Sequence, residues 1–139
     1  MARLTLTAGE SVGLSSGNFS IFGSTAGAET VTIAAGTTVS LDASFNRGGD
    51  VIHLSGNAAS YTAVQSGSSI ILTDTQGTSV TIPVGTTGAQ VSFADSAPRT
   101  LFFDTNLRAI KLGTDTIDAT ADALSAGTAL PPAPVQTVT

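Results

Sequence analysis

Short apolar runs return about every ten residues along most of this chain, and alternate runs return at a step of about twenty. One series is centred on residues 13, 32, 52, 71, 92 and 111, and the other on residues 5, 20, 40, 62, 81 and 102. Most runs read apolar, polar or small, apolar, as in Val31-Thr32-Ile33, Val39-Ser40-Leu41 and Val80-Thr81-Ile82, which is the period of a strand with one buried face. Twelve such runs in 139 residues leave almost no room for helix. Self-similarity at a fixed step marks units that bury their apolar faces by stacking on their neighbours. The spacing therefore predicts an all-β fold, a parallel β-solenoid or β-roll in which each pass contributes one strand to each of two facing sheets. An antiparallel β-sandwich is the alternative, because strands every eight to twelve residues or so also signal that fold. The expected core comprises Val31, Ile33, Leu41, Ile52, Leu54, Ile71, Val80, Ile82, Phe93 and Phe102. Gly17, Gly36, Gly56 and Gly77 recur at nearly the same step, where corners need positive φ.

After Gly113 the pattern changes. Residues 1–113 read as the β domain, and residues 114–129 as a C-terminal cap with a last strand near Ile117 and a short helical turn over Ala119 to Leu124. Residues 130–139, LPPAPVQTVT, contain three of the five prolines and read as an extended linker. A linker implies neighbouring domains in a longer parent chain.

Cysteine is absent, so disulfides, thiolate metal sites and Cys nucleophiles are excluded. Ten acidic against five basic residues, a formal charge of −5, oppose binding to a phosphate backbone and exclude nucleic acid as an expected partner. The same balance favours a hard cation with oxygen ligands, above all calcium. No apolar run approaches the roughly 18 residues of a membrane span, and MARLTLTAGE lacks the basic and apolar regions of a signal peptide, so any export signal is expected outside these residues. No phosphate-binding loop, dinucleotide fingerprint, HExxH or EF-hand loop occurs. His53, the single histidine, alternates with Ile52 and Leu54 and reads as a solvent-facing strand residue rather than a base. Tyr61 reads as a core-edge residue rather than a sugar platform. The chain is expected not to be an enzyme.

Candidate cation ligands fall in two sets. Asp42, Asn46 and Asp50 bracket DASFNRGGD, where carboxylate and amide oxygens flank Gly48 and Gly49 and can fold around Ca²⁺; the alternative is that Asp42 and Asn46 simply cap their own turn. Asp74, Asp95 and Asp115 recur about every twenty residues after strands of one series. In a solenoid they would align on one edge, bridged by cations or else solvated, and Asp104 with Asn106 invite the same two readings at the other corner.

The segments IFGSTAGAETVTI and FNRGGDVIHLSG resemble degenerate turns of the RTX-type β-roll of type I secreted bacterial surface proteins, whose GGxGxDxUx motif binds Ca²⁺ between turns. Gly48, Gly49, Asp50 and Ile52 carry the likeness, over roughly residues 19 to 56, without the motif's second Gly-x-Asp step. The resemblance implies a non-catalytic, structural, calcium-stabilised module of a secreted or cell-surface protein. A second expectation is a carbohydrate-binding accessory domain of an extracellular enzyme, with cell-surface polysaccharide as its ligand.

Overall fold

The computed structural model describes residues 2–23, 28–46, 50–86, 88–94 and 98–125. Within them the chain is all-β, with fourteen strands and two short 3₁₀ turns, Ala43–Asn46 and Ala58–Ser60. The strands are β1 Ala2–Thr5, β2 Ser11–Leu14, β3 Gly17–Phe22, β4 Thr30–Ile33, β5 Thr37–Leu41, β6 Val51–Leu54, β7 Thr62–Ser66, β8 Ser69–Thr73, β9 Ser79–Pro83, β10 Ala89–Ser92, β11 Arg99–Asp104, β12 Ala109–Leu112, β13 Asp115–Ile117 and β14 Asp122–Ala123. They form two mixed seven-stranded sheets, ordered β1-β3-β5-β9-β8-β7-β14 and β13-β12-β11-β10-β6-β4-β2.

From β1 to β6 the chain alternates between the sheets, and like strands pair in parallel: β1 with β3, β3 with β5, β2 with β4, and β4 with β6. Strands β9 and β10 extend the same parallel order beside β5 and β6. The register stacks identical kinds of residue. Val12, Val31, Ile52 and Val91 form one inner column of the second sheet, and Phe19, Val39, Val80, Leu72 and Ala63 form one of the first. Val31, Ile52, Val80, Leu72 and Val91 are fully buried. Burying each such side chain stabilises the fold by about 1.5–3 kcal/mol before conformational entropy is counted.

Parallel pairing does not extend through the whole chain. The ladders β7–β8, β8–β9, β10–β11, β11–β12, β12–β13 and β14–β7 are antiparallel. For β7–β8 and β12–β13 the reason is local. Ser66 and Ser69 pair across Gly67-Ser68, and Leu112 and Asp115 across Gly113-Thr114; both glycines have positive φ, +61° and +63°. A two-residue turn of this kind folds a strand back beside the one just completed, at the smallest cost in loop closure. Consequently the run centred on 71 lies in the opposite sheet from the one the step of twenty assigns it, and the run centred on 102 does so too because β11 pairs antiparallel with β10.

Parity within those two runs changes as well. Ile70 and Leu72 face the core, and so does Leu101, whereas Ile71 and Phe102 are only half-buried. The other expected core residues, Val31, Ile33, Leu41, Ile52, Leu54, Val80, Ile82 and Phe93, are buried. All four recurring corner glycines have positive φ, from +83° to +121°. No helical turn forms over Ala119 to Leu124. Instead β14 pairs with β7, and Leu124 N–H donates to Tyr61 O at 2.9 Å, so the backbone bonds that a helix would close locally go to the first sheet. Arg99, 9% exposed, donates to Asp115 Oδ2 at 3.1 Å and to Ser125 O at 2.7 Å, tying this segment to the second sheet.

Candidate functional site

Successive passes are joined at their corners by side-chain oxygens. Thr37 Oγ1 accepts from Ser16 N–H at 3.0 Å, Thr78 Oγ1 from Gly36 N–H at 2.8 Å, Asp42 Oδ1 from Gly23 N–H at 3.3 Å, and Asp50 Oδ1 from Glu29 N–H at 3.0 Å. Each satisfies an amide that the strand ladders leave over. The two aspartates belong to the β5–β6 loop and reach back to the β3–β4 connection, one pass earlier. That loop is anchored by Phe45, whose side chain is fully buried and whose N–H donates to Asp42 O at 3.1 Å.

The corner that precedes the second sheet has an acid in three consecutive passes. Glu10, Glu29 and Asp50 stand immediately before β2, β4 and β6. Their carbonyls accept in turn from Thr30, Val51 and Gln90 N–H at 2.9, 3.0 and 3.0 Å, so the three residues form one ladder. Their environments differ sharply. Glu10 is exposed, and its Oε1 accepts from Thr7 N–H at 2.6 Å, a bond that holds its carboxyl below the ordinary range. Glu29 and Asp50 are both fully buried.

Asp50 Oδ2 is buried and has no hydrogen-bond partner. Burial pushes the Asp50 carboxyl up to about 6; the Glu29 amide bond opposes that shift, and the charges of Glu29 and Asp42 add to it. A buried carboxylate with an idle oxygen beside a second buried carboxyl is costly unless a proton or a cation compensates it. This orphaned oxygen is the observation by which the residues present fit a hard cation. No three His, Asp or Glu side chains converge on one point among the described residues, so any such site rests on two carboxylates supplemented by carbonyl or water oxygens.

The structure separates the other expected ligands. Asp42 lies in the same loop as Asp50 and raises its pKa; the side chain of Asn46, together with Gly48, Gly49 and Asp95, lies outside the described residues. Asp74 Oδ1 accepts from Gln76 and Thr78 N–H, each at 2.9 Å, which is an ordinary turn cap. Asp115 is paired with Arg99 and also accepts from Ser125 N–H and Oγ–H. Asp74 closes the β8–β9 hairpin of the first sheet and Asp115 opens β13 of the second, so the expected alignment of these acids on one edge does not occur. The hairpins reverse the chain between them. Asp104 caps its hairpin through Asn106 and Leu107 N–H.

Glu29 escaped the sequence reading, although a signal for it exists. Glu10-Ser11-Val12, Glu29-Thr30-Val31 and Asp50-Val51-Ile52 align once the apolar runs of the second sheet are superposed.

Elsewhere, His53 is exposed on the outer face in a row with Gly13, Thr32 and Ser92, beside an open groove of about 430 Å³. Tyr61 is fully buried, its hydroxyl donating to Ser55 O at 2.6 Å and its ring 5.3 Å from that of Phe93; it is a core residue rather than a core-edge one. No helix among the described residues is long and apolar enough to cross a membrane. No protein-family model, curated protein or solved structure matches the chain.

Proposed function

We propose that this chain is a non-catalytic, calcium-stabilised structural module of a secreted or cell-surface bacterial protein, with its parallel half acting as a short β-solenoid that links neighbouring domains. The observation that supports this reading most directly is the buried Asp50 carboxylate, with Oδ2 unpartnered beside buried Glu29. In the notation of ligand linkage, a cation that binds only the folded chain stabilises it by RT ln(1 + [L]/Kd), about 2.7 kcal/mol at a hundredfold excess over Kd. Extracellular calcium would fill such a site, and the scarce calcium of the cytosol would leave the chain looser before export. Supporting features are the net charge of −5, the low charged fraction of 11%, and corners joined between passes by Thr and Asp side-chain oxygens.

The test is thermal unfolding of the full chain at pH 7.5 in EGTA and in millimolar CaCl₂. Calcium is expected to raise Tm by several degrees, and an identical midpoint in both buffers overturns the calcium reading.

A further inference from the structure

Glu29 and Asp50 are twenty-one residues apart in sequence and in contact in space. The Glu29 amide donates to Asp50 Oδ1 at 3.0 Å, Val51 N–H donates back to Glu29 O at 3.0 Å, and both residues are fully buried. The two backbones are thereby locked side by side, the charge of Glu29 acts on the Asp50 carboxyl, and one oxygen of the pair, Asp50 Oδ2, is buried without a partner. We infer that Glu29 and Asp50 together hold one Ca²⁺ ion between two adjacent passes of the chain, Glu29 supplying the second carboxylate from the pass below. The inference rests on the calcium reading above and names the residues and the span of the site.

Several observations select this pair. The idle, buried oxygen of Asp50 is the kind of donor that a hard cation prefers, and a second carboxyl acting on it from the adjacent pass favours a divalent ion. A carboxylate can accept several bonds at its two oxygens, so other contacts of Glu29 do not exclude ligation. Asp42 adds negative potential from the same loop without completing a three-carboxylate cluster, which leaves the remaining coordination to carbonyls and water. Glu10, the next acid down the ladder, is exposed and already bound to Thr7 N–H, so the site ends at Glu29. A cation here would tie the β3–β4 connection to the β5–β6 loop, adding to what the Gly23–Asp42 and Glu29–Asp50 bonds already do.

The deciding experiment is calorimetric titration of CaCl₂ into the full chain at pH 7.5, with parallel melting curves, for the wild type and for Asp50→Asn, Glu29→Gln and Asp74→Asn. Circular dichroism checks that each variant folds. The wild type is expected to bind one Ca²⁺. Glu29→Gln and Asp50→Asn should each weaken binding at least tenfold and remove the calcium-induced rise in Tm, while Asp74→Asn should leave both unchanged. Amide hydrogen exchange gives a second readout, since calcium should slow exchange at Glu29 and Val51 in the wild type. Wild-type affinity in Glu29→Gln overturns the two-pass site while leaving a calcium site at Asp50 standing. Loss of binding in Asp74→Asn overturns it by placing the ion elsewhere. No heat and no Tm shift in the wild type defeats the calcium reading itself. If Asp50→Asn does not fold, Glu29→Gln and the exchange data decide alone.

Discussion

At Asp50, burial works against ionisation, and the consequence for stability has a definite sign. Its carboxyl rises from an ordinary value of 3.8 to about 6 in the folded chain, so between those values the folded state holds the proton more tightly than the unfolded state. Stability contributed by this residue is therefore highest at or below about pH 4, falls as the pH rises through 6, and is flat above. Chemical denaturation in EGTA should show this decline in the wild type, and Asp50→Asn, which has no charge to lose, should flatten it. Parallel profiles for the two proteins would exclude Asp50 as the source. Glu10 acts with the opposite sign, because Thr7 N–H lowers its pKa. Corner hydroxyls offer a second residue-scale test. Thr78 is 1% exposed and its Oγ1 accepts from Gly36 N–H at 2.8 Å, so Thr78→Val keeps the shape and strands the amide. The expected loss is about 0.5–1.5 kcal/mol, the net worth of one hydrogen bond to a partly exposed amide, measured by urea unfolding; an unchanged midpoint would mean that water takes over the bond.

At the scale of elements, turns decide which ladder a strand joins. The β7–β8 hairpin depends on Gly67 at φ +61°, a conformation that costs an L-residue roughly 1–2 kcal/mol. Gly67→Val should lower stability by about that amount. Gly13→Ala is its control: Gly13 sits in β2 on the outer face, its φ is not in the positive range, and an added Cβ meets nothing within 4 Å, so the change should be close to neutral. Equal losses at both positions would refute the turn argument. A contrasting constraint holds at Gly88, where a Cβ would collide with Thr100 Cγ2 and lie 3.1 Å from Leu101 O. There the close approach of β10 to β11, and not φ, demands glycine.

For the whole molecule, the two sheets end differently. At one end β1 and β2 are the outermost strands; at the other β13 and β14 are. The β14 segment covers the free side of β7, buries Leu124 to 4% exposure, and ends at Ser125, clamped by Arg99 and Asp115. Truncation after Asp118 should cost at least about 2 kcal/mol from the lost leucine burial alone. It also uncovers the β7 edge, a template for intermolecular pairing. Sedimentation velocity and urea denaturation together check this outcome. A truncated chain that is monodisperse and equally stable would show that residues 119–139 contribute nothing to the fold.

How much of this was legible beforehand divides along the same physical line. Period-two patterning is a property of each strand alone, so the sequence by itself determined that the chain is all-β, that Val31, Ile33, Ile52 and Val80 are core, and that Gly17, Gly36, Gly56 and Gly77 turn corners. The step of twenty also places alternate runs in alternate sheets wherever neighbouring passes repeat, as from β1 to β6. Pairing partners are a different matter, because a strand's own pattern does not say whether it lies beside the previous strand or beside one twenty residues away. Two-residue glycine turns settled that for β7–β8 and β12–β13, and with the first the inward faces of Ile70 and Leu72, while Leu101 turns inward through the antiparallel pairing of β11 with β10 and β12. For the candidate site, Asp50 was visible as an oxygen donor beside glycines, but Glu29 became its neighbour only through the parallel register of β4 and β6. Burial of their carboxylates, and the oxygen left unpartnered on Asp50, exist only once the two passes are stacked.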